Sequence, residues 1–442
     1  MKKKQNKMEK IVAFLKDNGF INLSSEPYGG FSSSYDYGVY GVELKNNLKK
    51  AWWDEMTKKH DNIVGIDSAI LMSPKVWEAS GHLSAGFADE LIECKSCHKR
   101  FKADELKNVN KCPECSGELM SPKKFNVMMK TFVGPVEDNA NVVYLRGEAC
   151  QGIYMNFLWA KNSARMKIPF GICQIGKAFR NEITPGPFTF RTREFEQMDL
   201  QFFVKPDEAD KWFEYWKKER MQYYINLGID PEHLRFCDHP QDKLAHYAKK
   251  ACDIEYLFPW GFAEIEGIHN RTDWDLGNHS KFSGTDLSYF DQETKEKYVP
   301  YIIETSAGCD RTLLAFLIEA FNEFEKGRNN DSESTEYLLK LNYALSPIKI
   351  AVMPLLKNKE ELQKKARKIY ELLKMEFTTK FDDGGSIGKR YRRQDELGTP
   401  WCVTIDFDTL ENDTVTIRNR DTMRQERINV DDLINFLRIE HA

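Results

Sequence analysis

The chain has 442 residues, of which 41% are hydrophobic and 30% charged. That composition excludes a disordered or collagen-like chain and supplies enough apolar surface for a sizeable core, with a length suited to about three units of ~150 residues. The 64 basic and 68 acidic residues leave a formal net charge of -4, which excludes a wholly polycationic nucleic-acid coat but leaves room for a local basic groove.

Residues 1–10 carry five lysines, and the apolar stretch behind them, 11–15, stops at Lys16 and Asp17. A secretory apolar segment needs ~7 to 15 residues and a membrane span ~18, so the expectation is a short basic lead into an amphipathic helix over 9–18, with no membrane association and a cytoplasmic location. Residues 20–40 are rich in Gly, Ser and Tyr. Residues 42–59 then read as a helix, with Leu44, Leu48 and Trp52 at four-residue spacing. A β-prone run over 62–72 is expected to end at Pro74. Strand-like runs follow at 142–145, 170–175, 197–204 and 298–303, with helices over 151–164 and 207–227. Strands separated irregularly by helices predict an α+β fold, a largely antiparallel sheet flanked by helices. An apolar helix over 311–325 precedes a polar loop, 327–336, and residues 337–343 are expected to rejoin the first unit. From Ser346 a new alternation starts: strand 348–353, helix 359–373, strands 378–382, 401–407 and 414–418, and a closing helix over 430–437. The domains are therefore expected at 1–345 and 346–442.

Ten cysteines fall into two groups. Cys150, Cys173, Cys237, Cys252, Cys309 and Cys402 lie among apolar neighbours and read as buried thiols. Cys94, Cys97, Cys112 and Cys115 form C-x2-C-x14-C-x2-C within an insertion at about 88–122. Two such knuckles complete a closed tetrahedral Zn²⁺ site with no position left for substrate, which makes it a support for folding.

Two clusters could carry chemistry. The first is Phe179-Arg180-Asn181-Glu182, a Pro/Gly loop at 184–187, and Phe190-Arg191-Thr192-Arg193-Glu194-Phe195. Two strands joined by a loop would aim arginines from both arms at one pocket, and a guanidinium fork suits phosphate while an aromatic face suits a base. The second is Glu304-Thr305-Ser306-Ala307-Gly308-Cys309-Asp310-Arg311. A carboxylate at the end of a buried strand needs a partner or a cation, and Glu304 suits Mg²⁺ on nucleotide phosphates. Read alone, the first cluster is more readily a solvated charged hairpin than a binding site. There is no Walker loop, no Rossmann fingerprint, no Ser-His-Asp set and no H-E-x-x-H.

Together these clusters resemble motifs 2 and 3 of the class II aminoacyl-tRNA synthetases, and the helix over 42–59 followed by 62–74 resembles motif 1. Longer strings narrow the resemblance to the bacterial-type homodimeric glycyl-tRNA synthetases: Tyr35-Asp36-Tyr37-Gly38, Trp77-Glu78-Ala79-Ser80-Gly81-His82, Val133-Gly134-Pro135-Val136-Glu137-Asp138, Gln174 through Gly186, Arg191 through Met198, and Gly388 through Glu396.

The resemblance implies a homodimeric enzyme with a class II catalytic domain, a zinc-bearing insertion and a C-terminal α/β anticodon-binding domain. It would activate glycine with ATP and Mg²⁺ to glycyl-adenylate and pass glycine to the 3′ end of tRNA(Gly). Residue by residue, it implies Arg180 on the α-phosphate and the glycine carboxylate, and Glu182 facing adenine between Phe195 and Arg311. Arg191 would reach the γ-phosphate, and Glu264 and Glu304 would hold Mg²⁺. Asn181, Phe190, Ile265 and Gly308 complete the implied ATP site. Arg180, Glu304 and Arg311 are the implied catalytic set. Glycine would be held by Glu148, Asp199 and Ser306, with Arg180, Phe195, Glu304 and Gly308 around it. Lys389, Arg390, Arg392 and Arg393, with Tyr391 among them, would meet tRNA through phosphate contact and stacking. A basic residue near the first knuckle, Arg100 or Lys102, would also reach substrate.

Departures flank these positions. Asp199 stands for the family's Glu, Arg146-Gly147-Glu148-Ala149-Cys150 for R-P-E-T-A, Glu304-Thr305-Ser306 for E-P-S, Val39 for Pro, and Gly261-Phe262-Ala263-Glu264 for G-W-G-E. Two other readings stay open on the sequence: a non-catalytic tRNA-binding or regulatory relative, and a ligase for a different small amino acid.

Overall fold

The computed structural model describes residues 6–83, 88–103, 106, 110–182, 186–245, 247–328 and 334–440. Residues 1–5, part of the lysine-rich lead, lie outside them, as do 183–185 of the arginine loop and 329–333 of the polar loop. The N-terminal helix α1 (Lys7–Asp17) starts on Asn6, whose side chain accepts from a backbone N–H while Glu9 bonds back to the Asn6 N–H. This reciprocal cap fixes the start, and Ile11, Phe14 and Leu15 are its buried face. Helix α2 (Gly41–Thr57) buries Leu44, Leu48, Trp52 and Met56, the four-residue stripe expected. The β-prone run shrinks to β1 (Ile63–Gly65), and Pro74, expected as a strand end, opens the short helix Pro74–Ala79 instead. Proline suits a first helical position because its missing N–H would have no partner there.

The central sheet has seven strands: β1, β2 (Phe170–Phe179), β3 (Glu194–Val204), β4 (Leu234–Asp238), β5 (Lys250–Phe258), β6 (Gly261–Thr272) and β7 (Tyr301–Gly308). Their order is β4-β5-β6-β7-β3-β2-β1, antiparallel throughout except for the parallel β1–β2 edge. Alternate residues of a strand point to opposite faces. On one face Met198, Leu200, Phe202, Ile303, Ala307 and Ile268 pack against α2, helix α3 (Ala209–Asn226) and helix α4 (Cys309–Ala320). A buried ion pair sits in this layer: Arg220 of α3 donates to Glu266 of β6 at 2.7 and 3.2 Å, and Tyr224 donates to the same carboxylate at 2.7 Å. The other face is apolar at one end, where Phe170, Ile172, Phe203 and Ile302 lie under the short helices Cys150–Met155, Phe157–Ser163 and Trp274–Ser283. Its opposite end is polar and open.

The helix expected over 151–164 is broken at Asn156, and the one expected over 311–325 stops at Ala320. There the chain turns into strand Phe321–Phe324, which pairs with Glu336–Leu339 and so brings the chain back onto the first core. The insertion is a three-stranded sheet of Ala88–Glu93, Arg100–Lys102 and Lys123–Asn126 around the cysteines.

The C-terminal part has its own core. Strands β8 (Ile350–Pro354), β9 (Thr379–Phe381), β10 (Trp401–Ile405), β11 (Thr414–Asn419) and β12 (Gln425–Asn429) run in the order β9-β8-β10-β11-β12, parallel over the first three and antiparallel beyond. Helices α5 (Glu360–Lys374) and α7 (Val430–Ile439) cover one face, while α6 (Ile387–Leu397) lies on the other through Ile387 and Tyr391. Among the described residues no helix is long and apolar enough to cross a membrane.

Candidate functional site

The open end of the polar sheet face is a cavity of about 430 Å³. Its floor follows from register. Gln197, Asp199 and Gln201 of β3 lie opposite Gly308, Ser306 and Glu304 of β7, and Ser306 and Glu304 lie opposite Gly267 and His269 of β6. All eight therefore share one face. Two irregularities in β6 extend the set. Ile254 pairs with Glu266 and Glu255 with Glu264, so Ile265 is an extra residue. This bulge turns Glu264 into the cavity and leaves Ile265 and Glu266 both in the core. A second shift between Asn270 and Thr272 makes Arg271 an extra residue as well.

Three carboxylates meet at the inner end. Asp199 is 1% exposed and accepts from the Gln201 amide at 2.5 Å. Glu304 accepts from Gln201 at 2.9 Å, from Arg271 at 3.0 and 3.2 Å, and has His269 Nδ1 at 2.9 Å. Glu148 lies 3.4 Å from Arg180 and 3.3 Å from His82. Burial pushes all three acids up, but the outcomes differ. Arg271 and His269 hold Glu304 down at about 2, and His82 and Arg180 hold Glu148 below the usual carboxylate range. Asp199 is driven well up by its burial and by Glu304 beside it. The pocket thus favours the charged forms of Glu304 and Glu148 and disfavours that of Asp199, a balance that a cation beside Asp199 would offset.

The outer end is nucleotide-shaped chemistry. Arg180 follows β2, donates to the Gly147 carbonyl at 3.1 Å and lies 5.5 Å from the Phe195 ring centre. Glu182 is buried, with Lys102 Nζ at 4.0 Å. Arg311 opens α4, stacks over Phe190 at 4.3 Å, and reaches the Glu264 carboxylate at 3.1 Å. The first turn of α4 is pinned by Asp310, which takes Lys45 Nζ of α2 at 2.7 Å and the Glu196 N–H at 2.8 Å. Arg191, Gln197, Thr189, Tyr247 and Gly308 complete the wall.

The four cysteines converge. One sulfur from each lies within 4.8 Å of the others, with Cys94–Cys115 at 3.5 Å and Cys97–Cys112 at 3.7 Å. Tetrahedral Zn–S bonds of ~2.3 Å put sulfurs about 3.8 Å apart, so the quartet fits zinc. The backbone N–H groups of Cys97 and Ser96 favour the Cys94 thiolate, while the Cys97 and Cys115 thiols beside it are pushed up by their sulfur neighbours, so one thiolate is stable among them until a cation joins the set.

Two segments match known family models: the class II tRNA synthetase core domain (G, H, P, S and T) over residues 130–320, and the anticodon-binding domain over 349–440. The glycine–tRNA ligase of Treponema denticola is 53% identical over 98% of this chain and 97% of its own. That of Borreliella burgdorferi is 52% identical over 98% and 97%, and that of Thermobifida fusca 49% over 99% and 98%. The chain belongs to the glycine–tRNA ligase family. Most of the residues expected from the resemblance to that family line one cavity: Glu148, Arg180, Glu182, Phe190, Arg191, Phe195, Asp199, Glu264, Glu304, Ser306, Gly308 and Arg311. Of the two basic residues near the first knuckle, Lys102 lines the cavity, while Arg100 is turned onto Glu93 at 2.9 Å.

Several expectations are corrected. Ile265 is fully buried in the core, so its side chain cannot meet a nucleotide. Asn181 does not line the cavity; its N–H is spent on the Val127 carbonyl. Glu304 lies in a cluster with Asp199 and Cys150 that could hold a cation, but both its oxygens here accept from Gln201 and Arg271 or face His269, so a Mg²⁺ ion would have to displace one of them. Glu264, half exposed at the rim, does fit a cation that shares its shell with phosphate oxygens. Arg390 is 2% exposed and donates to the Gly385 and Pro354 carbonyls, which removes it from any tRNA surface. Lys389 is exposed, and Arg392 and Arg393 are partly exposed against Glu336 and Asp382. Gln201, His269, Arg271 and Tyr247 went unnoticed in the sequence. The polar run His269-Asn270-Arg271 marks an unusual strand without giving its residues a role, and nothing local marks Gln201 or Tyr247.

Proposed function

We propose that the chain activates glycine with ATP and transfers it to tRNA(Gly). The observation that carries this reading is the juxtaposition on one sheet face of an acid cage, Glu148, Asp199 and Glu304, with the arginines Arg180 and Arg311. The cage suits an ammonium and leaves little beside it; family likeness supplies glycine as the substrate. A glycine carboxylate oxygen forms a bond to the α-phosphorus of ATP while pyrophosphate leaves. Arg180, between the acids and the Phe195 ring, orients the carboxylate and offsets charge on the phosphate, so positioning and electrostatics suffice without an enzyme nucleophile. The terminal ribose hydroxyl of tRNA then attacks the adenylate carbonyl, and AMP leaves. Phe195, Arg311 and Glu182 hold adenine, and Arg191 the terminal phosphate. Glu264 would hold Mg²⁺, which screens phosphate charge when bound. Ser306 lies directly across from Asp199 and would accept or donate beside the ammonium.

The same reading divides the chain at 345/346, supported by the two separate cores and the two family models. It gives zinc a structural role in the insertion and assigns Lys389, Arg392 and Arg393 to tRNA. It also makes the enzyme a cytoplasmic homodimer, for which exposed Val39 and Val42 at the start of α2 offer an apolar face. Glycine-dependent ATP–pyrophosphate exchange tests the activity: exchange with glycine supports it, exchange with alanine or serine alone would point to another amino acid, and none at all would refute it.

A further inference from the structure

The segment Trp77-Glu78-Ala79-Ser80-Gly81-His82 has no part in the chemistry above, yet it ends against the acid cage. His82 is 5% exposed. Its ring meets Trp77 edge-on at 5.1 Å, and its carbonyl accepts from Asn126 at 2.8 Å. Nδ1 lies 2.7 Å from the Ser80 hydroxyl, and Nε2 lies 3.3 Å from Glu148 Oε2. An ionised carboxylate only accepts, so the Nε2 facing it is the protonated nitrogen, in a charge contact too poorly aligned to be a full hydrogen bond. Ser80 has a long alternative, the Trp77 carbonyl at 3.4 Å, against 2.7 Å to the ring. Its hydroxyl therefore donates to Nδ1 and selects the Nε2–H tautomer. The Cys150 thiol donates to the same Glu148 oxygen at 3.3 Å, while the other oxygen faces Arg180 at 3.4 Å.

We infer that His82, oriented by Ser80, is a positioning residue that fixes the Glu148 carboxylate between itself and Arg180, so that Oε2 stays turned toward the substrate ammonium instead of both oxygens closing onto Arg180. The inference rests on the proposed role of Glu148 in binding glycine. Without His82, one restraint on Glu148 Oε2 is lost and the carboxylate is free to close onto Arg180. That would mask the negative charge the ammonium needs and the positive charge the carboxylate needs.

The test is pyrophosphate exchange with glycine and ATP varied separately, on His82→Leu, His82→Gln and Ser80→Ala. His82→Leu is expected to raise the glycine KM by ~10- to 100-fold, the worth of one lost contact to a charged carboxylate, with the ATP KM unmoved. His82→Gln keeps an N–H for Glu148 and should recover most of that loss. Ser80→Ala removes only the orienting bond and should raise the glycine KM about fivefold. Active wild type with an unmoved glycine KM in the variants overturns the role alone. Glycine and ATP KM rising together in His82→Leu and His82→Gln alike would mean general packing and overturn it too. If His82→Leu does not fold, Ser80→Ala decides by the same two readings. Wild type without glycine-dependent exchange overturns the activity, and this role with it.

Discussion

Replacing Asp199 with Asn should change the glycine requirement in a manner that depends on pH. Asp199 is driven well above the ordinary carboxyl range by burial and by Glu304, so the free enzyme favours keeping the carboxyl's proton. An ammonium prefers the ionised form, and binding must release that proton. Affinity is therefore weakest at low pH and improves as pH rises toward the free-enzyme pKa, by at most tenfold per unit, since one pKa unit is ~1.36 kcal/mol. Asn keeps an oxygen for the Gln201 amide, 2.5 Å away in the wild type, but has neither charge nor proton to release. A charge-assisted hydrogen bond is worth ~1.5 to 3 kcal/mol, or roughly 10- to 100-fold in KM. That full penalty should be seen where wild-type Asp199 ionises on binding at little cost, and should shrink as pH falls. The assay is pyrophosphate exchange at saturating ATP from pH 6.5 to 8.5, fitted for glycine KM. Wherever Asp199 still carries its proton in the free enzyme, the wild-type KM should fall as pH rises, and the Asn variant should lack that component. Parallel profiles with equal KM would refute the placement of Asp199 at the ammonium. Asp199→Glu adds a methylene where Cys150 and Glu304 atoms already lie within 4.8 Å, and should raise the glycine KM by crowding.

The purified enzyme should carry one zinc per chain by elemental analysis; Cys94→Ser should lose it and lower the unfolding temperature while leaving the glycine KM near the wild-type value. Glu266→Ala strands Arg220 in the core and should cost ~3 to 5 kcal/mol, read as a drop in the urea midpoint with unchanged slope. Arg390→Ala should destabilise the C-terminal part by about 1 to 3 kcal/mol, the cost of buried carbonyls left without donors. Lys389→Ala with Arg393→Ala should instead spare exchange and weaken tRNA charging, with the salt slope reduced by up to ~0.9 per lost phosphate contact.

The C-terminal alternation was readable where strands β8 and β10 are buried on both faces and the helices carry strong apolar stripes, while the exposed edge strand β12 and the charged helix α6 gave no such signal. Leu362, Ala366, Ile369 and Leu373 form one such stripe. The β5–β6 hairpin was not readable. Glu264, Glu266, His269, Asn270 and Arg271 interrupt every apolar pattern, and two extra residues break the period of two. Site residues on the arginine arms were legible as local clusters. Gln201 and Arg271 were not, because their meaning arises only across strands, where Gln201 faces Glu304 and Arg271 closes on it from the far side. Pro74 shows the remaining ambiguity: proline ends a strand and begins a helix with equal ease, and only the residues after it decide between the two.

The extra residue at Ile265 makes strand length, more than residue identity, the fragile quantity in this hairpin. Deleting Phe262 or Ala263 would let the bulge close and exchange faces, with Ile265 taking the place of Glu264 opposite Glu255 and the Glu264 carboxylate entering the apolar layer, whereas deleting Ile265 itself would leave Glu264 where it is. Substitutions at Glu264 can be graded by charge and size, but a change of reading phase along the strand has no half-measure. The tip at Pro259 and Trp260 lies beyond the last cross-strand pair, Phe258 with Gly261, so length variation can collect there without touching the phase. A comparison of sequences within the family should accordingly show gaps at this tip and none between it and the two bulges.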